Sequence, residues 1–187
     1  YTVATTTYQQ ITSPTLMTIP LFLVMGNFLV KSGISERMYN GLNYWLSGVR
    51  GGLAIVSIGV CVSLAMCGGF GPGILTMGLV AVPAMLKHGY SKQIALGSVM
   101  AGGVLGEIIP PAIIMIIFAF IARVSIGKLF FGGFVPGIIL ALMFVLYIIG
   151  VGIFKPESLP KSKETITWSM RFNALKEIFL PSMLVVL

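Results

Sequence analysis

Long apolar runs separated by short polar gaps make up most of the chain. Residues 15–30, 51–86 and 129–154 carry no charge, and residues 93–121 carry a single one, Glu107. A helix that crosses the hydrocarbon core of a membrane needs about 20 mainly apolar residues. The pattern therefore predicts an all-α polytopic membrane protein with transmembrane helices at residues 15–30, 93–121 and 129–154. A cytoplasmic polar loop at residues 155–176 would lead into the start of a further transmembrane helix at residues 177–187.

Residues 33–50 have a mixed pattern. Ser35, Glu36 and Arg37 come first, and apolar positions such as Met38 and Leu42 then recur among polar ones. Serine is a favoured N-cap, and a helix with one apolar and one polar face lies along a membrane surface. We therefore expect an amphipathic helix on the cytoplasmic surface over these residues.

The apolar stretch at residues 51–86 is interrupted near its middle. Its first part, residues 51–66, spans about 24 Å as a helix, less than the hydrocarbon core of about 30 Å. Four glycines and a proline follow within residues 67–73, and such a sequence disfavours regular helix. The pattern predicts a re-entrant helical hairpin over residues 51–86. One long helix kinked at Pro72 is the alternative.

The distribution of basic residues favours the hairpin. A hairpin places two basic residues, Arg123 and Lys128, on one side of the membrane and these ten on the other: Lys31, Arg37, Arg50, Lys87, Lys92, Lys155, Lys161, Lys163, Arg171 and Lys176. A full crossing at residues 51–86 would divide the same residues seven to five. Because basic residues concentrate on the cytoplasmic side, the hairpin is favoured and the N-terminus is predicted to be periplasmic.

A second interruption is predicted between Gly102 and Pro111. Irregular backbone at membrane depth is tolerated where protein or a water-filled cavity surrounds it, and the free ends of half-helices can hold ions and substrates there. Glu107 lies inside this segment, and a carboxylate within a membrane is either functional or a protonated or paired structural group. For Gly102 and Gly106, the four-residue spacing favours close helix packing. The candidate substrate- and ion-binding residues at the two interruptions are Cys67, Gly68, Gly69, Gly71, Gly106, Glu107, Pro110 and Pro111.

Composition narrows the classes of function. The chain has 57% hydrophobic and 9% charged residues, against about 25% charged residues in soluble domains. It has one histidine, His88, and no aspartate, which excludes a Ser-His-Asp triad, a His-rich zinc site and an Asp-based phosphoryl-transfer site. The basic residues lie in gaps between apolar runs, so binding of nucleic acid is not expected. A transporter is favoured over a membrane enzyme or a purely structural subunit.

Several short motifs stand in fixed order along the chain. One of them is Ile108-Ile-Pro-Pro-Ala-Ile113. The others lie at residues 19–27, 33–37, 50–54, 83–90, 124–127 and 135–137. Together they resemble the large membrane subunit of tripartite ATP-independent periplasmic (TRAP) transporters, the DctM-like family. The resemblance covers nearly all of the chain and the N-terminal half of such a subunit, so we expect the chain to be a piece of a longer protein.

The resemblance implies an elevator-type ion-transporter fold, of which this chain would supply half of an inverted repeat in a bacterial or archaeal inner membrane. It implies two partners, a small four-helix membrane subunit and a periplasmic substrate-binding protein. It also implies sodium-coupled import of an organic acid such as a C4-dicarboxylate, with sodium and substrate between the hairpin and the broken helix. A stand-alone ion-coupled carboxylate symporter of the same fold superfamily is the alternative.

Four positions depart from the family pattern. Cys67-Gly68-Gly69 stands where the hairpin tip usually reads Ser-Gly-Ser, and Gly73 replaces a typical polar residue. Glu107 occupies a position that is usually apolar in the family. Two hydroxyl ligands for sodium are therefore absent, so the choice between sodium and proton as the coupling ion stays open.

Overall fold

The computed structural model describes residues 5, 8, 11–46, 48–68, 70–155 and 159–160, and over these residues it contains helices and no strand. The all-α expectation is therefore confirmed. The predicted helix at residues 177–187 and most of the predicted loop at 155–176 lie outside the described residues. The helices are α1 Pro14–Lys31, α2 Ile34–Leu46, α3 Gly52–Gly68, α4 Phe70–Lys87, α5 Lys92–Ile108, α6 Ile113–Ala122 and α7 Ile126–Phe154.

Among the described residues, two segments are long and apolar enough to cross a membrane. They are Lys92–Ala122, which contains α5 and α6, and Ile126–Phe154, which is α7. A third candidate is the pair Leu16–Lys31 and Ile34–Leu46, which is bent by 63°. The arms of the predicted hairpin form shorter apolar helices, as expected for helices that do not cross the membrane on their own.

Ordinary capping signals set several helix ends. The Ser13 side chain accepts a hydrogen bond from the Leu16 N–H, and Ser91 does the same for the Ile94 N–H at the start of α5. Serine at this position satisfies one of the N–H groups that the first turn leaves open. Gly51 has a φ of +84° immediately before α3, a conformation that other residues adopt only with strain.

Tyr90, which follows α4, caps the N-terminus of α3 through its side chain. The backbone N–H groups of Gly51 and Leu53 donate to its hydroxyl oxygen. Burial raises the pKa of Tyr90, although these two hydrogen bonds act in the opposite direction. These hydrogen bonds therefore connect the turn after α4 to the turn before α3.

The core forms around α3, which contacts α1, α2, α4, α5 and α7. Its residues Ala54, Val60 and Cys61 are fully buried, as are Met77 and Met85 of α4. Many side chains of α7, in contrast, are exposed. The hairpin and α5 thus form the tightly packed part of the described structure.

Two expectations about irregular backbone are corrected. Residues 67–68 and 70–73 are helical, whereas the whole Cys67–Gly73 segment was expected to be irregular; Gly69 lies outside the described residues. Pro72 falls in the first turn of α4, where a missing N–H costs no intrahelical hydrogen bond. In the same way α5 remains helical through Gly102, Gly103, Gly106 and Glu107, and the helix is interrupted only at residues 109–112.

Candidate functional site

The arms of the hairpin lie side by side and antiparallel. Near the base, the Ser57 Oγ lies 3.8 Å from the Met85 Sδ. Near the tip, a Cβ added to Gly73 would lie 3.2 Å from the Leu64 Cβ and 3.2 Å from the Ala65 backbone nitrogen. The start of α3 therefore contacts the end of α4, and the end of α3 contacts the start of α4. A single helix kinked at Pro72 would not allow both contacts. That the hairpin re-enters the membrane stays a prediction.

Three glycines of α5 bring that helix into close contact with both arms. A Cβ on Gly102 would lie 2.6 Å from the Cys61 Cβ, and a Cβ on Gly106 would overlap the Ala65 Cβ. A Cβ on Gly103 would overlap Ile74 of the other arm. The interpretation of Gly102 and Gly106 as packing residues is therefore confirmed, and such close approach is the usual use of small residues between membrane helices.

The hairpin tip and the interruption at residues 109–112 lie at the same level of the structure. Gly106, two residues before the end of α5, contacts Ala65, which is three residues before the end of α3. A Cβ on Gly133 of α7 would lie 2.9 Å from the Ile108 carbonyl oxygen, and one on Gly137 would lie 2.6 Å from the Ile109 Cγ1. Gly137 is about 16 Å along α7 from its first residue. The interruption therefore lies well inside the length of the longest helix.

The interruption exposes helix ends of opposite polarity. The Ile109 N–H donates to the Leu105 carbonyl oxygen at 2.9 Å, and the last carbonyls of α5 then have no further helical turn to bond. On the other side, α6 begins after Ala112, whose side chain makes no capping hydrogen bond. A helix C-terminus carries partial negative charge and an N-terminus partial positive charge. This arrangement can hold a cation at the end of α5 and an anion at the start of α6.

Glu107 lies near the negative end of this pair. It is the next-to-last residue of α5 and is half-buried. An ionised carboxylate at this position would add to the negative charge at the end of α5. In the part of the chain that the structure describes, no group of three or more His, Cys, Asp or Glu residues comes together. A cation here would be bound mainly by backbone oxygens.

Most of the predicted site residues come together. Gly106, Glu107, Pro110 and Pro111 lie at or beside the interruption, and Cys67 and Gly68 form the end of α3. Gly71 lies in the first turn of α4 and is exposed. Their role in binding stays a prediction.

Sequence reasoning missed the part that α7 plays. Gly137 contacts Ile109 of the interruption and Gly133 contacts Ile108 and Met115 on either side of it, yet neither glycine was a candidate. Their four-residue spacing is a signal of close packing between membrane helices, and it would have indicated a contact without identifying the partner.

Over the described residues, the structure is helical and places an antiparallel hairpin beside an interrupted helix, an arrangement that multi-pass membrane transporters use. The sequence comparisons make the assignment specific. The family model "Tripartite ATP-independent periplasmic transporter, DctM component" matches residues 1–187. The chain therefore belongs to this family of transporters, and the expectation that it is no enzyme is confirmed by that membership.

Curated relatives agree with the family model. The chain is 34% identical over 174 residues to the C4-dicarboxylate TRAP transporter large permease protein DctM of Vibrio cholerae, covering 92% of this chain and 38% of the relative. It is 38% identical to the protein of the same name from Pseudomonas aeruginosa, over 72% of this chain and 32% of the relative. It is 36% identical to the isethionate TRAP transporter permease protein DctMQ of Oleidesulfovibrio alaskensis, over 78% of this chain and 23% of the relative. The chain thus spans well under half the length of these relatives.

Proposed function

We propose that this chain is part of a permease subunit that imports a small organic acid across the inner membrane of a bacterium or archaeon by alternating access. The observation that supports this most is the adjacency of the hairpin tip and the interruption at residues 109–112. Two helix interruptions that meet inside a membrane domain supply unpaired N–H and C=O groups without any charged side chain. The hairpin and α5 would move together, carrying the bound solute.

The substrate is proposed to be an anion with a carboxylate or a related acidic group. The uncapped start of α6 offers backbone N–H groups and the positive end of the helix dipole to such a group. The relatives named for C4-dicarboxylates and for isethionate share an acidic group and differ in the rest of the molecule. A C4-dicarboxylate-like acid is therefore our first candidate, and a sulfonate is the second.

Sodium is the proposed coupling ion. It is a hard cation that binds oxygen ligands, and the last carbonyls of α5 supply such ligands next to the proposed anion site. Glu107 would contribute negative charge to the same cation site. Since Cys67-Gly68-Gly69 lacks hydroxyl side chains, backbone oxygens would have to provide most of the coordination.

The proposed topology has a periplasmic N-terminus and a cytoplasmic hairpin base. Gly152, near the end of α7, contacts Arg50, and Gly89 contacts Pro160. The two ends of the hairpin and the end of α7 therefore meet at one end of the molecule, together with Lys87, Lys92 and Lys155. Arg123, which follows α6, and Lys128, in the first turn of α7, lie at the opposite end. This asymmetry follows the positive-inside rule.

Two partners complete the proposed system, namely a small four-helix membrane subunit and a periplasmic substrate-binding protein. The test is uptake of a labelled dicarboxylate by proteoliposomes that contain the full-length permease and the small subunit. We expect uptake only with the binding protein and an inward sodium gradient. Uptake without the binding protein would indicate a stand-alone symporter. Uptake that responds to a proton gradient and ignores sodium would refute sodium coupling.

A further inference from the structure

The buried side of α2 is polar along one stripe. Ser35, Tyr39 and Asn43 follow one another at intervals of four residues, so their side chains share a face. Their exposed fractions are 1%, 2% and 9%. An amphipathic helix normally buries an apolar stripe, and this polar one has to be explained by what it contacts.

The side-chain oxygens of this stripe have no hydrogen-bond partner among the described residues. These atoms are the Ser35 Oγ, the Tyr39 hydroxyl and the Asn43 Oδ1. The Tyr39 hydroxyl lies near Ser57, but the Ser57 hydroxyl donates to the Leu53 carbonyl oxygen at 2.7 Å. Because more than nine in ten buried polar groups in proteins are paired, the stripe points to a bound molecule.

A pocket of about 230 Å³ lies against two residues of the stripe. It is a half-open pocket between α2, the start of α3 and the end of α4. Its size is below the roughly 300–1,000 Å³ of pockets that hold drug-sized ligands, so the occupant is a small group. The polar and apolar groups that line it include Tyr39, Asn40, Asn43, Tyr44, Leu53 and His88.

The lining of this pocket favours an anion. Tyrosine hydroxyls and asparagine amides can donate hydrogen bonds, and the amide orientation of Asn43 can be reversed without changing its shape. The nearby Ala84 carbonyl already accepts from the His88 backbone N–H at 3.2 Å and pairs with the His88 Nδ1 at 2.8 Å. Leu53 is the second residue of α3, so the pocket also adjoins the positive end of that helix.

Among the described residues, no carboxylate lines the pocket. The nearest charged residues in the sequence, Glu36, Arg37 and Lys87, are exposed and lie outside its lining. The pocket therefore offers hydrogen-bond donors to an anion without an acidic side chain that would repel it.

We infer that this pocket binds an oxyanion, that is, a phosphate or carboxylate group, between α2 and the base of the hairpin. Such a group accepts hydrogen bonds from the Tyr39 hydroxyl and the Asn43 amide at once. Its source is either the headgroup of an acidic phospholipid or a free small anion. The site is distinct from the interruption at residues 109–112 and does not depend on the proposed transport function.

The test measures how the thermal unfolding midpoint of the full-length permease in detergent depends on inorganic phosphate. We expect phosphate to raise the midpoint of the wild type, and Tyr39→Phe and Asn43→Leu to require about tenfold more phosphate for half the effect. Asn27→Leu is the matched control, because Asn27 is exposed on α1 and its amide donates to the Leu23 carbonyl oxygen at 3.0 Å.

A second arm separates the two sources. The same midpoints are measured after adding phosphatidylglycerol or phosphatidylcholine at equal concentration. Stabilisation by phosphatidylglycerol that exceeds stabilisation by phosphatidylcholine and is lost in Asn43→Leu assigns the site to a lipid headgroup. Stabilisation by phosphate alone, lost in the same variant, assigns it to a free anion.

The inference is overturned if neither phosphate nor phosphatidylglycerol acts through Tyr39 and Asn43. It is equally overturned if a density map of the wild type in phosphate shows only water in the pocket. Tyr39→Phe keeps the shape of the ring, and Asn43→Leu replaces an unpaired amide by an apolar group of similar size. Both variants are therefore expected to fold. If one of them does not, the density map of the wild type in phosphate still tests the inference.

Discussion

The contact between Gly102 of α5 and helix α3 leaves no room for a methyl group. A Cβ added there would lie 2.6 Å from the Cys61 Cβ, 2.8 Å from the Ile58 carbonyl oxygen and 2.9 Å from the Ile58 Cα. Carbon atoms prefer separations of about 3.5–4.0 Å, and none of these three atoms can turn away by a rotamer change. Gly102→Ala should therefore push α5 away from the hairpin by about 1 Å.

The expected net effect of Gly102→Ala is destabilisation by up to about 2 kcal/mol. Overpacking of this kind costs about 1–3 kcal/mol, and the higher helix propensity of alanine returns up to about 1 kcal/mol. Gly97→Ala is the matched control on the same helix, because nothing lies within 4 Å of a Cβ at that position. In the control, only the higher helix propensity of alanine acts, so Gly97→Ala should be as stable as the wild type or slightly more stable.

The assay is thermal unfolding of the permease in detergent, followed by circular dichroism. The unfolding midpoint of Gly102→Ala should lie several degrees below that of Gly97→Ala. If the two variants unfold at the same temperature, the α3–α5 contact is looser than described, and the reasoning about all three α5 glycines fails. If both variants are destabilised equally, helix geometry rather than packing determines the effect.

Three further predictions follow from the same contacts. Gly133→Ala should reduce substrate uptake by proteoliposomes several-fold, because its Cβ would meet the Ile108 carbonyl oxygen at 2.9 Å and the Met115 side chain; Gly132→Ala, with open space, should not. Tyr90→Phe should lower the free energy of unfolding by about 1 kcal/mol, since the Gly51 and Leu53 N–H groups lose their acceptor, whereas Tyr147→Phe at an exposed position should have no measurable effect. Glu107→Gln should raise the sodium concentration needed for half-maximal uptake by about tenfold; an unchanged sodium and pH profile would exclude a coupling role.

The apolar pattern was sufficient to predict the helical class, because a run that lacks charges over membrane length has few other stable structures. Proline was also informative. Pro110 and Pro111 marked the true interruption, since neither can donate a backbone hydrogen bond. Proline does not interrupt a helix at every position: Pro72 lies in the first turn of α4, and α7 continues through Pro136.

Glycine was the misleading signal. Its helix propensity is lower than that of alanine by about 1 kcal/mol, so the cluster around Gly102 suggested irregular backbone. Tertiary packing overrides that preference, because Gly102, Gly103 and Gly106 each allow a contact with the hairpin that no side chain would permit. Which helix fills the space cannot be read from the glycines themselves, and for this reason the contacts of α7 were also missed.

The glycines of α7 pack in the same way as those of α5. Gly103 of α5 receives the Ile74 side chain, and Gly133 and Gly137 of α7 receive the side chains of Met115 and Ile109. If the hairpin and α5 move as one body during transport, these two side chains have to leave α7 before the bodies can move apart. A methyl group at Gly133, which would also meet the Ile108 carbonyl oxygen at 2.9 Å, should therefore lower stability as well as slow transport.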